Sequence, residues 1–207
     1  MNSKDILYLA ALVAGDGYLE RGRHRIDIRV ASRHFNEGLA KRFSSISPKV
    51  DLRNLRLRIT STEVYRVLSQ EFGIPSGRKS KIISIPEVVF AIPLEEVVEY
   101  VAGWYDAEGW FELDKRYKPA YPRMRFAVTS QAVQKGLSKL LRRLAVPVAT
   151  FTGGTRFFID INGRGACKRF ISMIPLHHEK WLEFKGSVMN MSPLLAHTAR
   201  QVNQAGF

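Results

Sequence analysis

Two acid–glycine pairs stand in matching surroundings, 92 residues apart. Asp16-Gly17 closes the run Leu9-Ala10-Ala11-Leu12-Val13-Ala14-Gly15, and Glu108-Gly109 closes Val101-Ala102-Gly103-Trp104-Tyr105-Asp106-Ala107. Each run reads as a buried helix ending at glycine, the residue most often found in the left-handed position that closes a helix. Small residues sit four apart, Ala11 and Gly15 in one run, Gly103 and Ala107 in the other. Positions four apart share a helix face, so the two helices can pack closely and in parallel. Asp16 and Glu108 then emerge side by side. A carboxylate at a helix C-terminus is disfavoured, and two together repel. A divalent cation relieves both conflicts. Two carboxylates, the backbone carbonyls of Gly15 and Ala107, and water make the hard oxygen set that Mg²⁺ prefers. A nucleic-acid phosphate can complete that shell, which points to metal-dependent phosphodiester chemistry. One Asp-Gly alone reads equally well as an ordinary helix end; the repetition carries the paired site.

Elements able to position such a pair recur in both halves. After each acid–glycine the apolar period shifts from helical to alternating. Arg25, Asp27 and Arg29 alternate with Ile26, Ile28 and Val30, and Leu55, Leu57 and Ile59 with Arg56, Arg58 and Thr60. In the second half Arg123, Arg125 and Thr129 alternate with Met124, Phe126 and Val128, then Arg156 and Asp160 with Phe157, Ile159 and Ile161. Alternation puts these sets on opposite faces, giving each sheet one apolar face and one arginine-bearing face. Helices are expected over Phe35–Phe43, Glu63–Phe72, Val133–Leu144 and Gly165–Met173. The fold class is α+β: two pseudo-symmetric αββαββα repeats, 1–92 and 93–185, with antiparallel sheets and a central two-helix interface. Gly73–Pro93 carries the connection, and 186–207 reads as a C-terminal appendage of weak periodicity.

Composition bounds the partners. The chain has 207 residues, 32 Lys and Arg against 19 Asp and Glu, a net charge of +13, and 45% hydrophobic residues. That is globular composition with a polyanion-seeking surface, not a disordered basic tail. The halves carry +7 and +6, so both face the same kind of partner. The single cysteine, Cys167, excludes an internal disulfide and multi-cysteine zinc modules. The apolar run Ile6–Gly15 is about half of what a membrane span needs. A soluble, intracellular protein without a membrane partner is expected, its compartment unresolved. His177-His178 lacks partners at zinc spacing, and Gly15-Asp16-Gly17 lacks the third glycine and the preceding strand of a dinucleotide loop.

The two runs resemble the paired motifs of the LAGLIDADG homing endonucleases, and the likeness extends over residues 5–185. It implies a monomeric pseudo-dimer whose saddle-shaped sheets lie in the major groove of double-stranded DNA. It implies a staggered double-strand cut, with Asp16 and Glu108 binding Mg²⁺; Mn²⁺ is expected to substitute and Ca²⁺ to support binding without cleavage. Ala14 departs from the family's first acid in motif one, which Asp106 retains in motif two. That position is not the usual metal ligand, so little effect is expected. The repeat aligns Val30-Ala31-Ser32-Arg33 with Val128-Thr129-Ser130-Gln131, nominating Arg33 and Gln131 near the scissile phosphates and Ser32 and Ser130 beside them. Serine there also reads as a helix N-cap. The family's Lys-Ser run before Ile-Pro nominates Lys79 and Lys81, with Lys180 as the second-half counterpart; a solvated basic loop is the plain alternative.

Major-groove reading suits arginines on a sheet face. The candidates are Arg21, Arg23, Arg25, Asp27, Arg29, Arg56 and Arg58 in the first half, and Lys115, Arg116, Tyr117, Arg123, Arg125, Arg156 and Asp160 in the second. Trp104, Tyr105, Trp110 and Phe111 read as core. Two sheets end to end cover roughly 15–20 base pairs. Their faces differ, so the target should be asymmetric. The expected function is a site-specific DNA endonuclease, intron-encoded by its compact length. The alternatives are an RNA maturase, with intron RNA as partner, or a sequence-specific DNA-binding protein on the same scaffold. A merely structural polyanion binder would not need the paired acids.

Overall fold

The computed structural model describes residues 3–29, 32–79, 81–114, 116 and 120–189. Val30, Ala31, Lys115, Tyr117 and residues 190–207 of the expected appendage lie outside them. Helix α1, Ser3–Asp16, leads directly into strand β1, Gly17–Glu20. There follow β2 (Arg25–Arg29), α2 (Arg33–Phe43), β3 (Val50–Arg53), β4 (Arg56–Thr60) and α3 (Thr62–Arg66), which a wider π turn extends to Glu71. A short α4 (Glu87–Ala91) precedes α5 (Leu94–Glu108), which enters β5 (Gly109–Asp114) as α1 enters β1. Then come β6 (Tyr121–Val128), α6 (Gln131–Arg143), β7 (Ala149–Gly153), β8 (Arg156–Asn162), α7 (Arg164–Met173) and α8 (Lys180–Met189). Helix α8 runs through the expected boundary at 185.

The strands form two antiparallel sheets of the same order, β1-β2-β4-β3 and β5-β6-β8-β7. Ile26, Ile28, Leu57 and Ile59 turn one face of the first sheet into the core, as Met124, Phe126, Ile159 and Ile161 do in the second. Ser32, Ser61 and Ser130 cap α2, α3 and α6, accepting from Phe35 N, Val64 N and Val133 N at 3.1, 3.3 and 3.4 Å. Such caps satisfy amides that the first helical turn leaves unpaired.

Helix α1 is buried on all sides from Asp5 to Ala14 and carries no charge from Ile6 to Ala14, the pattern of a core helix rather than a surface one. Its partner is α5. A Cβ on Gly103 would lie 2.4 Å from the Tyr8 carbonyl oxygen and 2.8 Å from Ala11 Cβ, and one on Gly15 would lie 2.6 Å from Ala107 Cβ. The small residues therefore set a close, parallel crossing. The sequence expectation for Gly17 and Gly109 needs correction. Gly109 is extended, with φ −95° and ψ 152°, and Gly17 also lacks a positive φ. Both open a strand, and the requirement is space. A Cβ would stand 2.6 Å from Val13 Cα at Gly17 and 2.4 Å from the Tyr105 carbonyl oxygen at Gly109.

An ionic clamp ties α2 to both central helices. Arg42 binds Asp5 at 2.6 Å and Glu99 at 2.8 Å, contacts His177 Nε2 at 2.8 Å, and lies 4.2 Å over the Tyr8 ring. Among the described residues no helix is long and apolar enough to cross a membrane.

Candidate active site

Asp16 and Glu108 are the last residues of α1 and α5, and the parallel crossing carries them to the same end. Asp16 is exposed and Glu108 half-buried, yet desolvation by the surrounding chain is the largest influence on both carboxyls. It raises Asp16 above its ordinary range against the pull of Lys180 and Lys79. It raises Glu108 to about 7, with the Asp16 charge adding and Arg156, Lys79 and Lys180 opposing. Each carboxylate is therefore costly to ionise without a cation between them.

Two lysines complete the arrangement. Lys79, 9% exposed, donates to the Gly17 carbonyl at 2.5 Å. Lys180 donates to the Asp106 carbonyl at 3.4 Å and to the Gly109 carbonyl at 3.4 Å. Burial lowers both lysines below the ordinary ammonium range, opposed by Asp16 and Glu108 at Lys79 and by Asp106, Asp16 and Glu108 at Lys180. A pocket of about 20 Å³ beside Glu108, lined by Gly15, Ile83 and Ser130 among others, is the size of one water.

The other nominations divide. Lys81 is exposed in the turn after Lys79. Arg33 is 84% exposed in its side chain and paired with Glu37 at 3.0 Å. Gln131 is exposed at the first turn of α6. None of these three has a described bond to either acid. Arg33 and Gln131 each open a helix that follows a strand, and that first helical turn leaves both side chains exposed. Ser130 is 4% exposed, caps α6 and donates to the Ile83 carbonyl at 2.6 Å; Ser32 caps α2 and bonds Glu179. Both serines act as caps and tethers. Arg156, nominated for DNA alone, is close enough to bias Glu108.

Asp106 does more than the sequence suggested. It accepts from Tyr8 Oη and Trp181 Nε1, each at 2.7 Å, and from the amides of His177 and His178 at 3.2 and 3.3 Å. The carboxylate thus ties α5 to α1 and fixes the segment that delivers Lys180. The signal was the asymmetry of Ala14 against Asp106. Ala14, at the matching place in α1, has no side-chain acceptor to hold the Lys79 segment in the same way.

The arginine-bearing faces point away from the helices. On the first sheet Arg25 pairs with Glu20 at 2.6 Å and Asp27 at 3.1 Å, and Arg58 with Asp27 at 3.0 Å. Arg29 and Arg56 face each other across β2 and β4, without a carboxylate at ion-pair distance among the described residues. With Arg53 and Arg58 they line an open cleft of about 370 Å³. On the second sheet Arg125 is bound to Asp160, with one contact at 2.7 Å, and Arg123 lies 3.6 Å from Asp160 and 3.7 Å from Glu112. Arg21 and Arg23 form the β1–β2 turn, and Arg116 follows β5 and pairs with Asp114 at 2.5 Å. Trp104, Tyr105 and Phe111 are buried as expected. Trp110 differs: it lies half-buried on the outer face, 5.4 Å below the Arg125 guanidinium.

This architecture has solved counterparts. I-DmoI, in complex with DNA and Mn, superposes with a TM-score of 0.57, covering 85% of this chain and 98% of that one at 20% identity. The N-terminal LAGLIDADG domain of DUF199/WhiA gives 0.58 over 88% of this chain and 87% of that one, at 11% identity.

The chain has the two-motif LAGLIDADG fold.

I-DmoI complexes with DNA have been solved with Mn, with Mg and with Ca. No family model matches the sequence. Segments similar to this LAGLIDADG chain occur within larger archaeal proteins. One is a probable translation initiation factor IF-2 of Methanocaldococcus jannaschii, 27% identical over 69% of this chain. Another is a component of the A-type ATP synthase of Methanopyrus kandleri, 25% identical over 89%. The matched region spans only 12% and 17% of those two proteins.

Proposed function

We propose that this chain is a site-specific double-strand DNA endonuclease that hydrolyses phosphodiesters with a divalent metal and leaves a staggered cut. The observation that carries the reading is the junction itself. Two carboxylates that resist ionisation, each with a desolvated lysine beside it, sit where two arginine-faced sheets meet. Asp16 and Glu108 would hold the cation, preferably Mg²⁺, with the Gly15 and Ala107 carbonyls and solvent filling the shell. The cation supplies Lewis-acid stabilisation of charge growing on the phosphate. Lys79 and Lys180 place fixed positive charge at the same point, and their backbone bonds hold them oriented before substrate arrives.

The basic sheet faces support binding along the major groove of a duplex. Arg29 opposite Arg56 is a like-charge pair that costs stability in the free chain. Phosphates or guanine edges would relieve it. The two halves, 1–92 and 93–185, then act as two half-site readers in one monomer, and their unlike faces call for an asymmetric target. Matching segments inside proteins of unrelated names support an inserted module rather than a part of translation or ATP synthesis.

Cleavage selection from a randomised duplex library with Mg²⁺ tests the reading, beside the Asp16→Asn/Glu108→Gln variant. Cut ends clustered on one long asymmetric sequence, absent with the variant, are expected. The WhiA likeness supports a second reading, sequence-specific binding without cleavage. Enrichment of one bound sequence with no cutting by the native chain would favour it, and intron-RNA binding would then be assayed.

A further inference from the structure

The two sheets share strand order and register, so their outer faces can be compared place by place. In the first sheet Tyr18 pairs with Asp27, Asp27 with Arg58, and Arg58 with Asp51. The equivalent row of the second is Trp110, Arg125, Asp160 and Ala149. The ion pair is kept with its signs exchanged. The next row inward, toward the helix ends, is Arg29, Arg56 and Arg53 in the first sheet. In the second it is Ala127, Phe158 and Phe151. Three cations are replaced by an alanine and two phenyl rings.

Those rings are built in rather than stray. Phe151 and Phe158 stack at 4.8 Å and 13°, and the Gln134 amide binds both backbone carbonyls at 3.0 and 2.8 Å from the core side. The Arg125 guanidinium lies 5.0 and 5.5 Å from the two ring centres, held by Asp160. Its charge is engaged by that carboxylate. Phe151 remains 42% exposed. An apolar patch between Arg125 and Arg156 on a DNA-facing sheet suits an apolar feature of a polyanion. In the major groove of a duplex that feature is the 5-methyl group of thymine, since the other base edges present only donors and acceptors. Bases within a duplex are stacked on one another, so the rings meet methyl groups and not base faces.

We infer that Phe151 and Phe158 form a thymine-methyl reader, so that the half-site under the second repeat carries thymine at the base pairs beside the cut. The matching place in the first repeat, with three arginines, takes guanine edges and phosphates instead. The inference rests on the proposed duplex binding and specifies its sequence.

The test uses the full chain with Asp16→Asn/Glu108→Gln, so that binding is read without cutting. Bound duplexes are selected from a random library, and the selection is repeated with Phe151→Arg added. The half-site that changes identifies the one under the second sheet. Each thymine of the selected duplex is then replaced by deoxyuridine, which removes only the methyl. The expected result is a loss of roughly fourfold in affinity per contacted methyl in that half-site. No loss is expected in the other half, and with Phe151→Ala the thymine and uracil duplexes should bind alike. Uniform indifference to deoxyuridine, or sensitivity confined to the other half-site, overturns the inference while leaving sequence-specific binding intact. Failure to enrich any duplex removes the endonuclease reading and this inference with it.

Discussion

Lys79 and Lys180 are counterparts: each donates to the carbonyl of the glycine that follows an acid, Gly17 at 2.5 Å and Gly109 at 3.4 Å. They come from different kinds of segment, Lys79 from the connection between the sheets and Lys180 from the first turn of α8. Methionine at either place keeps the aliphatic stem and removes the charge. Lys79→Met and Lys180→Met are each expected to slow single-turnover cleavage roughly 10²–10³-fold. Duplex affinity measured in Ca²⁺ should change by less than about threefold, since one charge is a small part of a long electrostatic footprint. Equal losses in binding and cutting would reduce the lysines to general phosphate contacts.

Glu108 gives the site a pH dependence. Its carboxyl is held at about 7 in the folded chain, above the ordinary value of 4.5. The folded state therefore keeps its proton more tightly than the unfolded state. The stability this confers is complete below about 4.5 and is lost as pH rises through about 7. Glu108→Gln, neutral at every pH, should raise the metal-free melting temperature by roughly 2–4 °C at pH 8 and change it little at pH 5. In the native chain protons compete with the cation. At subsaturating Mg²⁺ the cleavage rate should climb about tenfold per pH unit below 7 and level off above it. Thermal melts and a pH–rate profile check the two halves of the argument.

The helix crossing has almost no tolerance. A methyl on Gly103 would stand 2.4 Å from the Tyr8 carbonyl oxygen, and backbone cannot swing aside as a flexible side chain can. Gly103→Ala should destabilise by roughly 1–3 kcal/mol, read as a lower denaturant midpoint at unchanged slope. Gly22→Ala, where a Cβ meets nothing within 4 Å, should leave the midpoint within about 0.5 kcal/mol of native.

Arg29 and Arg125 should fail differently. Arg29 is exposed and has no carboxylate at ion-pair distance among the described residues, whereas Arg125 is engaged by Asp160. Arg29→Ala is expected to weaken duplex binding and lower the slope of log affinity against log salt by about 1. Arg125→Ala should leave that slope nearly unchanged, leave Asp160 to its longer contact with Arg123 at 3.6 Å, and relax base preference in the second half-site. A salt titration of both variants separates them.

Much of this was legible in the residues. Alternation around Arg25–Arg29 and Arg123–Val128 set both sheet faces, because a strand's period fixes which side chains share a face. The spacing of Ala11, Gly15, Gly103 and Ala107 anticipated the close crossing. The glycine conformations were not legible, since Asp-Gly serves both a left-handed cap and a tight entry into a strand, and only the packing of Val13 and Tyr105 decides. Lys180 was legible by position but not by geometry. Its approach depends on Asp106, and a carboxylate binding an indole and two amides 71 to 75 residues away leaves no local pattern. Trp110 was read as core and lies on the outer face, because aromatic character alone does not tell core from surface.

The tie from Trp181 to Asp106 gives the molecule an order of completion. A ribosome has finished Asp16, Lys79 and Glu108 long before it adds Lys180. Until then the Gly109 carbonyl has no ammonium on it, and Asp106 lacks its indole and two amide donors. A chain that stops short of residue 180 would therefore lack one of the two lysines that flank the proposed metal-binding pair. The last part of the proposed centre to be synthesised is thus one of its cations and not one of its acids.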